Sequence, residues 1–249
     1  MPNRASSSTT SIANCPDIRT SSWCSSAVVG ARSRCASSGE PCRVRHLGQT
    51  DYASTWRAMQ AFTDARASET PDEIWLTEHP PVYTLGLAGR REHLHRDNGI
   101  PVLKVDRGGQ ITYHGPGQLI AYLLIDIGRR RLGVRQLVRA IEDSVIQLLD
   151  SYGVAATVRS GAPGVYVDRG GREAKIAALG LKIRNGRSYH GLAFNIDMDL
   201  APFADIDPCG YRGLAVTRLR DFGIDAPRAE IESRLVAALD AALDATPDR

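Results

Sequence analysis

Two residues in this chain combine reactive side chains with small neighbours. Cys209 lies in Asp207-Pro-Cys-Gly-Tyr211, a turn-forming setting that puts a thiol on a loop rather than in a regular element. Lys175 opens Lys175-Ile-Ala-Ala-Leu-Gly180, where an ammonium enters an otherwise apolar strand whose small residues would admit a ligand close to the backbone. The thiolate is the nucleophilic form of cysteine, and an adjacent ammonium both favours it and can later carry a proton. If the two side chains meet in space, they form an activated nucleophile. Taken singly, each also has an ordinary reading. Most free cysteines are small buried hydrophobes, and most lysines are exposed.

The richest loop is Arg107-Gly-Gly-Gln-Ile-Thr-Tyr-His-Gly-Pro-Gly-Gln118, with four glycines and one proline among twelve residues. Such density lets a backbone approach a ligand and turns N–H donors inward, although a pair of tight turns between strands would look the same. Neither nucleotide-binding glycine pattern, Gly-x-x-x-x-Gly-Lys-[Ser/Thr] or Gly-x-Gly-x-x-Gly, is present, and Gly-x-Ser-x-Gly is absent too. The histidines show no metal-binding spacing; His93 and His95 are expected to be solvated, and His79, His114 and His190 fall beside turns or strands.

These side chains need a scaffold, and 249 residues with 43% hydrophobic and 24% charged residues suit one soluble globular core. No apolar run approaches the roughly 20 residues of a membrane span, and a net charge of +3 does not demand a nucleic acid. Residues 1–42 are rich in Ser and Thr and hold four of the five cysteines. They are expected to be a disordered tail or an over-extended gene start, with an organellar transit peptide as another option. Residues 43–249 form the single catalytic domain. That leaves one thiol in the body, which points to a reducing cytoplasm.

Hydrophobic periodicity predicts a helix from Asp51, with Tyr52, Trp56, Met59 and Phe62 on one face. A second covers 134–152 through Leu137, Ile141, Val145 and Leu148; a third follows Pro227 with Ile231, Leu235, Leu239 and Leu243. Strands are expected at 74–77, 82–85, 102–105, 119–126, 154–158 and 164–167, and a hairpin joins 174–183 to 189–196 through Asn185-Gly186. The fold class is α+β, a mixed sheet with packed helices.

The glycine-rich segment 107–118, Lys175-Ile-Ala-Ala-Leu-Gly-Leu-Lys-Ile183, His190-Gly-Leu-Ala-Phe-Asn195 and Pro208-Cys-Gly-Tyr211 resemble, in that order, the octanoyltransferase family of lipoate biosynthesis. Glu78-His-Pro-Pro-Val-Tyr-Thr-Leu-Gly86 and Ala162-Pro-Gly-Val-Tyr-Val167 agree with it as well. The resemblance spans about residues 44–222 and does not reach 1–42. It implies a fold related to biotin and lipoate protein ligases, with Cys209 as the nucleophile of an acyl-thioester intermediate and Lys175 as the group that lowers the thiol pKa and handles protons. The implied substrate pocket consists of Arg107, Gly108, Gly109, Gln110, Ile111, Thr112, Tyr113, His114, Ala178, Leu179, Gly180, Gly191, Leu192 and Ala193. Glycine N–H groups of 107–117, or His114, are candidates for holding the oxyanion. No cofactor and no metal are expected. The partners implied are octanoyl-acyl carrier protein and the lipoyl domains of 2-oxoacid dehydrogenase complexes and the glycine cleavage H protein, served by a monomer. Arginines 90, 91 and 129–131 are candidates for docking the acidic carrier.

Overall fold

A computed structural model describes residues 40–210 and 213–245, apart from the side chain of Cys209. The expected extension therefore lies outside the described residues as far as 39. Residues 40–42 belong to the body: Cys42 is buried in the main core, and Arg130 Nη2 donates to Glu40 O at 2.9 Å. The body thus holds a second thiol besides Cys209. Burial pushes the Cys42 thiol up to about 12 despite the nearby Arg130 guanidinium, so it stays protonated at neutral pH.

Among the described residues the main sheet has eight strands. Along it lie β1 (Arg43–Gln49), β2 (Glu73–Glu78), β6 (Gln118–Leu124), β10 (Arg187–Asn195), β9 (Glu173–Arg184), β8 (Gly164–Asp168) and β7 (Ala156–Val158). The short β11 (Ala215–Val216) pairs with β9. The β1–β2 and β11–β9 pairs are parallel and the others antiparallel, which makes the sheet mixed, as expected. A second sheet holds β4 (Val102–Lys104), β3 (Val82–Leu85) and β5 (Ile111–His114).

Helices α2 (Val134–Asp150) and α3 (Arg228–Asp244) cover one face of the main sheet. Their apolar stripes, among them Leu137, Ile141 and Val145 of α2 and Ile231, Leu235 and Leu239 of α3, are fully buried. Burial of each such side chain contributes about 1.5–3 kcal/mol. The opposite face carries Ile120, Tyr122, Tyr189 and Ala193 and packs under α1 (Tyr52–Ala65) through Met59, Trp56 and Phe62. Asp51 caps α1 by accepting from Ser54 N at 2.8 Å. None of the described helices is long and apolar enough to cross a membrane.

Three strands are absent from the expected string, the two-residue β11 among them. The exposed edge strand β1 has no continuous apolar pattern, so its sequence carries little strand signal. The four-residue β5 lies inside the glycine-rich stretch that reads as a loop. The β9–β10 turn is as expected: Asn185 and Gly186 both have positive φ, 50° and 72°, which a type I′ turn requires.

Candidate active site

Strand alternation puts Ala177, Leu179 and Leu181 of β9 on the face covered by α2 and α3, and Ala178 and Gly180 on the other. Continued regularly, it would place Lys175 with Ala177, against the helices. A bulge prevents this. Tyr166 of β8 pairs with Lys175 while Val165 pairs with Ala177, so Ile176 is an extra residue. Ile176 and Ala177 both enter the helix-side core, and Lys175 turns to the face of Ala178 and Gly180. Lys175 is only 3% exposed there; Nζ donates to Pro163 O at 3.2 Å and stands 5.0 Å from the centre of the Tyr166 ring.

Gly164 makes room for it. A Cβ at that position would lie 3.1 Å from Lys175 Cε and 2.6 Å from Ala177 O, and its φ of 137° is one that side chains rarely adopt. Buried Glu142 of α2 fixes the same residue by accepting from Gly164 N at 3.0 Å. The Ala162–Val167 motif is therefore the seat of the lysine, a role its sequence did not disclose.

The cysteine turn precedes, in the chain, the strand that pairs with Lys175. Cys209 lies in a 3₁₀ turn, Pro208–Gly210, a few residues before Val216, which is the register partner of Lys175. On its other side the turn meets Gln110: a Cβ on Gly210 would lie 3.4 Å from that side chain. The turn is held from below by Asp207, which accepts from His95 Nε2 at 2.9 Å and His93 Nδ1 at 3.3 Å. These two histidines are thus tied to the cysteine loop rather than merely solvated, and hydrogen bonds from both, His95 first, keep the Asp207 carboxyl below its ordinary value. The expected approach of the Lys175 amine to the Cys209 thiol lies outside the described residues.

Beside Gln110 opens a small cavity. Of the fourteen expected pocket residues, Arg107, Gly109, Gln110, Ile111, Thr112, His114, Ala178, Leu179, Gly180, Gly191, Leu192 and Ala193 line it. Gly108 and Tyr113 do not. Gly108 donates its N–H to Leu181 O at 2.9 Å, and Tyr113 faces the other way to pack on Tyr83 and Phe203. Tyr52, Ile120, Tyr122 and His190 complete the lining and were missed. His190 precedes Gly191 in the segment 190–195, but only the folded chain shows where its ring goes.

The polar wall is a network with fixed tautomers. His114 Nδ1 donates to Gln118 Oε1 at 2.8 Å, since the Gln118 amide nitrogen is committed to Asn195 Oδ1 at 2.9 Å. His114 Nε2 then accepts from the Thr84 hydroxyl at 3.3 Å, and Thr84 O and Oγ1 in turn accept from buried Arg107. His114 has no N–H left for an oxyanion, so that expectation does not hold. Burial pushes its pKa down to about 3, helped by His79. His79 Nδ1 donates to Thr50 O at 2.7 Å, leaving Nε2 to accept from the Tyr122 hydroxyl at 2.6 Å. The expected carrier-docking arginines also divide: Arg129 and Arg130 are spent on Asp72, whereas Arg90 is exposed and pairs only with its neighbour Glu92 among the described residues.

Residues 51–240 match the model of the lipoyl protein ligase A/B catalytic domain. An octanoyltransferase of Aromatoleum aromaticum is 64% identical over 79% of this chain and 83% of its own length. Another, from Dechloromonas aromatica, is 60% identical over 77% of this chain and 92% of its own length. Among solved structures, a bipartite lipoate protein ligase of Thermoplasma acidophilum superposes with a TM-score of 0.65 over 82% of this chain and 84% of that one, at 18% identity. The biotin protein ligase of Aquifex aeolicus with biotin and ATP gives 0.51 over 81% and 70%, at 12% identity. These distant likenesses establish the fold, and the close relatives establish the family: the chain belongs to the octanoyltransferases, within the lipoyl protein ligase A/B catalytic-domain family, and is an acyltransferase.

Proposed function

We propose that the protein transfers an octanoyl group from octanoyl-acyl carrier protein to a lysine of lipoyl domains, through an acyl-thioester on Cys209, as the first step of endogenous protein lipoylation. The observation that carries this reading is the bulge at Ile176, which turns a buried lysine onto the cavity face, alongside the strand that follows the cysteine turn. Bulges that re-aim one side chain concentrate next to active sites.

The chemistry balances without a further reactant. Lys175 takes the Cys209 thiol proton, and the thiolate attacks the carbonyl of the carrier thioester. A new C–S bond forms, the carrier's C–S bond breaks, and the departing thiolate receives the proton from Lys175. In the second half the acceptor amine attacks the enzyme thioester, a C–N bond forms, and Cys209 leaves as thiolate while Lys175 takes the proton shed by the amine. The small side chains of Ala178 and Ala193 leave space for the alkyl chain along the sheet.

Purified enzyme, octanoyl-acyl carrier protein and a lipoyl domain should suffice, with no nucleotide added, to give a lipoyl domain heavier by one octanoyl group in its mass spectrum. A strict requirement for ATP with free octanoate would instead place the chain with the ligases whose fold it shares.

A further inference from the structure

His190 has no part in the proton transfers above, yet the backbone is bent to bring it into the cavity. It faces Leu181 across the β9–β10 ladder and by alternation should join Leu192 and Phe194 under the helices. Its φ is 62°, in the left-handed region, unusual for a residue with a side chain. The ring instead stacks on Tyr189 and meets Tyr122 edge-on, both on the cavity face. Strain of this kind persists where the surroundings enforce it, and it concentrates at functional sites.

The imidazole is also committed electrically. Nε2 donates to Asp106 Oδ1 at 2.9 Å, and Asp106 is itself held by Trp56 Nε1 at 2.7 Å, Gln60 Nε2 at 3.2 Å and the Tyr189 hydroxyl. Burial holds the His190 pKa below its ordinary value against the pull of Asp106, so the ring is neutral and Nδ1 carries a lone pair. Nδ1 is buried with no hydrogen-bond partner among the described residues, although His190 is 1% exposed and lines the cavity. The neighbouring Tyr122 hydroxyl has already given its proton to His79.

Position along the strands gives this acceptor its meaning. Ala178 and Ala193 form the row nearer Lys175, Gly180 and Gly191 with Tyr122 the next, and His190 lies beyond them. On the reading that the thioester reacts at the Lys175 end, His190 stands at the far end of the acyl group. We propose that His190, oriented by Asp106, reads the distal end of the acyl chain, so that the cavity accepts medium-length acyl thioesters with a terminal hydrogen-bond donor and discriminates against saturated chains long enough to reach it. A hydroxyl there would satisfy Nδ1, whereas a methyl group would leave the buried acceptor unpaired.

Nonanoyl and 8-hydroxyoctanoyl groups on the same acyl carrier protein test this, because they have the same length and differ only in the donor. Wild-type enzyme should transfer the hydroxylated group about tenfold faster by kcat/KM. His190→Leu should bring that ratio to one or below; the ratio is taken within each enzyme, so a change in overall activity does not affect it. Equal rates in the wild type, or an unchanged ratio in His190→Leu, would overturn the proposal while octanoyl transfer by the wild type still upheld the reading beneath it. If the variant does not fold, the wild-type ratio decides alone. Failure of the wild type to transfer octanoyl itself would remove the assignment of the reacting end, and this proposal with it.

Discussion

Replacing Lys175 with methionine is expected to lower octanoyl transfer by about 10²–10⁴-fold, the range typical of losing a positioned proton-transfer group. Methionine suits the site because the lysine is 3% exposed and runs its stem over Gly164 beneath Tyr166. An unbranched apolar side chain keeps that packing and removes a buried amine, so the folded state should survive. The hydrogen bond to Pro163 O goes with the amine, a loss of about 1 kcal/mol. Transfer rate, melting temperature and the alkylation rate of Cys209 should be measured together. A folded variant with a slow transfer and a sluggish thiol is the expected result. Full activity in Lys175→Met would remove the lysine from the chemistry.

The largest effect on stability should come from Asp72→Ala, far from the cavity. The Asp72 carboxylate is buried and accepts from Arg66 at 2.5 Å, Arg130 at 2.6 Å, Arg129 at 2.7 Å and the Asp126 N–H at 2.8 Å. It ties the end of α1 to the loop after β6 and, through the Arg130–Asp244 pair, to α3. Removing it leaves the wholly buried Arg66 guanidinium without its counter-charge, which costs about 3–5 kcal/mol. For a chain of this size that is a melting-point drop of roughly 6–20 °C.

Burial alone would raise the Asp72 carboxyl pKa, but hydrogen bonds from Arg130, Asp126 and Arg66 outweigh it and hold it below the ordinary value. The carboxylate's contribution is therefore complete above the unfolded pKa of about 3.9 and is lost as pH falls through the lower folded one. Thermal unfolding followed by circular dichroism should show a wide gap between wild type and Asp72→Ala at pH 7 that closes only in strong acid. A drop of under 2 °C at pH 7 would show that the cluster is not the clamp its geometry implies.

Much of the scaffold was legible because it obeys regular periods. The stripe of Leu137, Ile141 and Val145 and the Asn185-Gly186 turn each specify their element locally. The resemblance-carrying motifs likewise gathered twelve of the fourteen expected pocket residues around one cavity. What escaped were the breaks in period. Strand alternation assigns Lys175 to the helix side, and only the extra residue Ile176, visible through pairing with β8, reverses it. His190 changes face through its own φ, which no composition rule announces. The partnership of His93 and His95 with Asp207 spans more than a hundred residues of chain and exists only after folding.

The central claim, a covalent acyl group on Cys209, is tested most directly by intact-mass analysis of the enzyme mixed with octanoyl-acyl carrier protein and no acceptor. Wild-type protein should gain the mass of one octanoyl group, the gain should disappear on adding a lipoyl domain, and Cys209→Ala should show none. Cys42 does not confuse the reading, because its thiol is buried and pushed up to about 12. An unmodified wild-type mass, or an octanoyl adduct that persists in Cys209→Ala, would contradict the mechanism.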